Sequence, residues 1–255
     1  MKKFQSNFVR QGAEFLLAAI IVTHVPDSLA TPLNIDFFDS LVASPISPGS
    51  SYGGAAGQVG TWNALPGKDG VYGAGHAAPT IVDLAGNSLL GVFVDLAGAD
   101  LLINPQTQPS LLSGNDAALV NDGFVTKDNL TPWVLQISGI ANGLYDVYVY
   151  AIPTISTSAW TFSSGVTTQI ELIGSSNNTN LTQGLNYIVA QTMVTGNVLI
   201  LQSGTTTTGT AGSGLAGLQL DFISPVPIPA ALPLFLSALT GLGFIGWRGK
   251  RLAGS

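Results

Sequence analysis

The sequence predicts an all-β protein, an antiparallel β-sandwich or jelly roll, with an N-terminal signal peptide before it and one transmembrane helix after it. Three observations carry this. Between Thr31 and Ser224, short apolar or alternating runs recur, separated by clusters of Gly, Asn, Asp, Pro and Ser, the pattern of strands joined by turns. No helical periodicity of any length interrupts them. A body of about 195 residues is an ordinary size for one undivided sandwich. The expected divisions are residues 1–30, a leader; 31–224, the exported β-domain; and 225–255, a C-terminal segment with its membrane helix over 230–247.

At the start of the chain, Lys2, Lys3 and Arg10 precede an apolar run from Phe15 to Val22, and Ser28-Leu29-Ala30 follows. Basic flank, apolar core and small residues before a cut are the parts of a secretory signal, with cleavage expected after Ala30. Eight apolar residues are too few to cross a bilayer.

The expected strands are residues 33–38, 81–84, 89–96, 133–138, 144–151, 168–173, 187–192, 197–202 and 215–223. The plainest is Leu144-Tyr145-Asp146-Val147-Tyr148-Val149-Tyr150, built of strand-forming Tyr and Val. Asn142-Gly143 before it can adopt the positive φ angles of a tight turn, so 133–138 and 144–151 are expected to form a hairpin. Residues 44–79, dense in Gly, Ala, Pro and Ser, read as a long surface loop. Residues 203–214, almost wholly Gly, Thr and Ser, read as a turn between late strands.

Charge narrows the function. Between Thr31 and Ile228 only Lys68 and Lys127 are basic, against twelve acids, which leaves the body near −10. Such a surface repels nucleic acid, whose phosphates require cations. Cysteine is absent, so thiol nucleophiles, thiolate metal sites and lipidation at an N-terminal cysteine are excluded.

Few catalytic groupings survive inspection. His76 is the one histidine left after the leader, and no Gly-x-Ser-x-Gly elbow accompanies it. Most acids flank Gly or Asn, as turn-forming Asp does, while Asp83, Asp95 and Asp146 fall within expected strands and keep an acid-pair glycoside hydrolase open as an alternative. No catalytic residue is assigned. No cofactor is expected, and no metal beyond a structural calcium, for which Asp116, Asp122 and Asp128 supply oxygen donors in Asn115-Asp116, Asn121-Asp122-Gly123 and Lys127-Asp128-Asn129 without EF-hand spacing. A sugar would be met by an aromatic face and a planar polar group; Trp62 with Asn63, Trp133 and Trp160 are the candidates, against the alternative of core or loop-pinning tryptophans.

The end of the chain is the most specific stretch. Val226-Pro227-Ile228-Pro229 precedes eighteen uncharged residues, 230–247, and then Arg248-Gly249-Lys250-Arg251. As a helix at about 1.5 Å per residue the run covers roughly 27 Å, close to a hydrocarbon core of about 30 Å. Pro233 and the glycines from Gly241 to Gly249 would make a poor helix in water. Trp247 falls at an interfacial position, and the basic tail predicts a cytoplasmic end.

These elements, in this order, resemble the PEP-CTERM sorting signal, and the wording from Val226 to Leu239 resembles its VPLPA-CTERM subclass. The likeness covers Val226 to Arg251, about a tenth of the chain, with Ile228 standing where the name-giving pattern has Glu. It implies a Gram-negative exported protein that is the substrate of an exosortase, an integral-membrane cysteine transpeptidase acting near Pro227 and Pro229, with Arg248, Lys250 and Arg251 as a stop-transfer tail. It further implies an inner-membrane-anchored precursor with a periplasmic body, then delivery to the cell surface or a biofilm matrix, with exopolysaccharide as a partner. A second resemblance is carried by Gly60-Thr61-Trp62-Asn63, by Gly143 to Tyr150 and by Gly217-Leu218-Gln219-Leu220. These are similar to a β-sandwich domain often found on PEP-CTERM proteins and akin to galactose-binding-like jelly rolls. The expectation is a non-enzymatic surface or matrix protein; a carbohydrate-binding module on the same chassis is the alternative.

Overall fold

The computed structural model describes residues 32–38, 47–76, 79–102, 112–126, 133–151, 156–162, 171–173, 179–203 and 214–225. The leader with Ala30, the segment from Val226 to Arg251 and Asp128 lie outside them. The chain falls into two units, Met1–Ser224 and Pro225–Ser255; of the second, only Pro225, the last residue of its strand, is described.

The protein is all-β, as its sequence predicts. A five-stranded sheet runs in the order β11-β8-β14-β1-β2, from β1 (Leu33–Phe38), β2 (Trp62–Pro66), β8 (Gly143–Tyr150), β11 (Tyr187–Val194) and β14 (Gly217–Pro225). A six-stranded sheet runs β10-β9-β12-β7-β4-β3, from β3 (Gly70–Gly73), β4 (Phe93–Ala97), β7 (Val134–Ser138), β9 (Ser156–Phe162), β10 (Glu171–Ile173) and β12 (Val198–Ser203). Short β5 (Ala99–Leu102), β6 (Phe124–Thr126) and β13 (Gly214–Leu215) make a third sheet. The strand pairs with resolved register are antiparallel except β1 with β2, which run parallel from Asn34↔Trp62 to Phe38↔Pro66.

Strand alternation builds the core. Leu33, Ile35 and Phe37 of β1, Tyr145, Val147 and Val149 of β8, and Leu218 and Leu220 of β14 meet Val94 and Leu96 of β4, Leu135 and Ile137 of β7, and Leu199 and Leu201 of β12 in one buried cluster. Tyr145 is fully buried; its hydroxyl donates to Ala141 O at 3.0 Å, four residues upstream, and burial pushes its pKa up to about 12.

Several expectations are corrected. Residues 133–138 and 144–151 do not form a hairpin: β7 pairs with β4 and β12, whereas β8 pairs with β11 and lies in the other sheet. The turn there is made by Gly139, at φ +83°, whose added Cβ would stand 1.9 Å from Gly91 O, and Asn142 instead accepts a hydrogen bond from Asn197 N. Residues 81–84 contribute only an isolated bridge, Val82↔Ser88. The stretch 44–79 is not all loop, since it contains β2 and β3. One helix occurs among the described residues, α1 (Gly114–Val120), too short to display a helical period.

Candidate functional site

The alternation that sends Leu33, Ile35 and Phe37 inward places Asn34 and Asp36 on the opposite face of the five-stranded sheet, where water is the usual neighbour. Both are nevertheless fully buried. The cover is made by residues 47–61 and by α1, whose Leu119 seats where Gly217 of β14 has no side chain: a Cβ there would lie 2.7 Å from Leu119 Cδ1.

Buried amides fasten the loop. Gln219 of β14 donates to Asn34 Oδ1 at 2.8 Å and to Gly53 O at 3.0 Å, and accepts from Ala56 N at 3.2 Å and from the Tyr150 hydroxyl. Tyr150 accepts from Ala55 N at 2.7 Å. Asn34 donates to Gln58 O at 3.0 Å, and Gln58 donates to Leu220 O at 3.2 Å. Asn63 is saturated by backbone: it donates to Asn34 O and Val82 O, each at 2.9 Å, and accepts from Val82 N at 2.7 Å. Satisfied buried polar groups of this kind fix a single arrangement of the chain around them.

Aromatic rings continue the layer. Tyr52 stacks on Trp62 at 6.0 Å, Trp62 meets Tyr150 edge-on at 6.5 Å, and Tyr150 and Tyr148 lie 5.8 and 6.4 Å from Tyr187. Past the loop this series comes to the surface. Tyr148 and Tyr187 are half-buried, with interplanar angle 30°, and Asp146 on the same face accepts from Gln191 at 3.2 Å.

Asp36 lies outside this network, in which Gln58 Oε1 is the one named side-chain atom left without a partner. Neither of its carboxyl oxygens has a hydrogen-bond partner, and neither does the buried hydroxyl of Ser47 that faces it. Burial holds the Asp36 carboxyl well above the usual carboxylate range, the like charge of buried Asp122 raises it further, and the Ser47 hydroxyl lowers it in part.

The residues singled out in sequence scatter. Trp62 is 7% exposed and donates from its indole to Tyr52 O at 3.1 Å, and Trp133 is fully buried, edge-on to Phe124 at 5.4 Å. Trp62, Asn63 and Trp133 thus occupy the core and loop-pinning positions that were the alternative to sugar contact. Trp160 belongs to β9 in the other sheet. Asp116 accepts from the Tyr52 hydroxyl, while its neighbour Asn115 accepts from Gly49 N at 3.0 Å. Asp83 closes a turn, accepting from Asn87 N at 2.8 Å and Asn87 Nδ2 at 3.0 Å, bonds that lower its pKa. Exposed Asp95 lies on β4, in a different sheet from Asp146 on β8. His76 is exposed and packs edge-on against Phe93 at 5.0 Å. Among the described residues no three acidic, His or Cys side chains gather as metal ligands, and no helix is long and apolar enough to cross a membrane. The residues that sequence reading passed over are Asp36, Tyr148 and Tyr187; strand alternation puts all three on one face, but nothing local tells which of them is covered.

No family model and no curated protein matches this chain. Among solved structures it is similar to protein YXIM_BACsu from Bacillus subtilis at 16% identity and TM-score 0.40, over 77% of this chain and 41% of that one. The chain thus spans less than half the length of that protein.

Proposed function

We propose that this is an exported, non-enzymatic protein of the cell surface or extracellular matrix. In this reading the β-body is a jelly roll, delivered through the sorting segment from Val226 to Arg251 by an exosortase-type transpeptidase. The observation that carries the reading is the ordered succession of Pro227-Ile228-Pro229, eighteen uncharged residues and the Arg248, Lys250, Arg251 tail. The described strands are compatible with such a cut. Every described strand lies at or before Pro225, the last described residue, so a cut near Pro229 leaves all of them whole.

The partner of the delivered body in this reading is exopolysaccharide. The face that suits it is the pair Tyr148 and Tyr187 beside Asp146 and Gln191, since stacked rings with planar polar groups offer a sugar both an apolar platform and hydrogen bonds. One experiment tests both parts. Intact mass of the protein from cells and medium should give a species ending near Pro229 that disappears in the Pro227→Ala, Pro229→Ala strain; a wild-type species retaining Arg251 in the membrane fraction overturns the sorting reading. Retention of the released body on native exopolysaccharide should fall at least several-fold in Tyr148→Ala; equal retention removes that face from the proposal.

A further inference from the structure

We propose that Asp36, Asp122 and Ser47 form a calcium site beneath the loop of residues 47–61. The inference does not rest on the sorting reading. Its starting point is that Asp36 is fully buried with both oxygens lacking a hydrogen-bond partner, and that the buried Ser47 hydroxyl beside it lacks one as well. Three oxygens on two side chains thus converge with no bond at hydrogen-bonding geometry, the Ser47 hydroxyl being the donor near enough to lower the Asp36 pKa in part. A carboxylate removed from water needs a proton, hydrogen-bond donors or a cation.

Among the described residues no Lys or Arg supplies the balance. Lys68 is the only described Lys or Arg residue, and it is exposed in a turn. The described charge that bears on Asp36 is instead a second acid, Asp122, itself 8% exposed. Two carboxyls are held together here by the backbone. Gly123, at φ +135°, lies so close to the chain that an added Cβ would stand 2.3 Å from Leu215 O and 2.8 Å from Ala216 Cα, and Ala216 O in turn accepts from Phe37 N at 2.8 Å. The segments bearing Asp36 and Asp122 are thereby clamped on the same short stretch of chain.

The donor chemistry names the ion. Carboxylates and a hydroxyl are hard oxygen ligands, suited to calcium or magnesium and not to thiolate- or imidazole-seeking metals. Calcium tolerates irregular coordination completed by backbone carbonyls, whereas magnesium demands a near-ideal octahedron and keeps several waters, for which a fully buried carboxylate is a poor host. With two carboxylates the expected affinity is that of extracellular calcium modules, a Kd of about 10⁻⁴ to 10⁻³ M.

The test uses the full chain, stripped with chelator in mild detergent. Thermal unfolding is followed by near-UV circular dichroism with 10 mM calcium chloride, 10 mM magnesium chloride or chelator, and calcium binding by titration calorimetry. Calcium is expected to raise Tm by about 3–8 °C, more than magnesium does. Asp36→Asn and Asp122→Asn should each abolish that rise and the heat of binding, while Asp116→Asn, whose carboxylate faces Tyr52, should keep both. If Asp36→Asn does not fold, Asp122→Asn read by calorimetry decides by the same criterion. Absence of both heat and Tm shift in the wild type overturns the proposal, and so does a calcium response that persists in Asp36→Asn or Asp122→Asn.

Discussion

Asp36 carries the clearest residue-scale consequence. Its carboxyl keeps its proton to higher pH when folded than the value of about 3.9 expected in an unfolded chain, because burial comes first and Asp122 adds repulsion. A carboxyl with a raised folded pKa contributes stability that is full below the unfolded value and is lost as pH rises through the folded one. In chelator, therefore, the wild type should lose stability relative to Asp36→Asn as pH rises from 4 to 8, read as the difference in urea midpoints at each pH. A difference that is flat across this range would show that Asp36 is not held neutral. Calcium should reverse the trend, because the ion binds the ionised carboxylates.

At the scale of elements, the feature to explain is a short helix over a strand. α1 has seven residues, Ser113 before it makes no side-chain capping bond, and a helix this short is marginal by itself. Its anchor is Leu119, fully buried in a cluster with Trp62, Val120, Tyr150 and Ala216, against the bare backbone of Gly217. Leu119→Ala should destabilise the protein by about 2–5 kcal/mol through the cavity it leaves, measured by urea unfolding. A cost below about 1 kcal/mol would mean that α1 is not held by this contact. The same scale accounts for the missed hairpin. Asn142-Gly143 is good turn chemistry, but the next strand's inward residues Tyr145, Val147 and Val149 face β4, β7 and β12 across the core, so β8 belongs opposite β7 rather than beside it.

For the whole molecule, the order of strands decides what can be removed. β14, last in the described chain, lies between β8 and β1 in the middle of the five-stranded sheet, and it carries Gln219, the centre of the loop-fastening network. A chain ended at Ser213 should fail to fold, giving no near-UV dichroism and no cooperative melt. One ended at Pro229 should melt within about 2 °C of the full chain. If the shorter chain still melts cooperatively, β14 is not the closing strand of the fold.

Strand character was legible residue by residue: β1 was predicted with its observed bounds, and β8, β11, β12 and β14 to within a few residues, because alternating or β-branched runs bounded by turn residues report local backbone preference. The net charge, the lack of thiol chemistry and the resemblance of the Val226–Arg251 segment to a sorting signal likewise follow from the residues alone. Partnership did not. Which sheet each strand joins, that residues 47–61 fold back over Asn34 and Asp36, and that Asp36 comes to face Asp122 eighty-six positions away are decided by long-range packing. Period-two patterning tells only which side of a strand a residue occupies; whether that side meets water, a loop or another acid depends on chain segments that the local sequence does not contain.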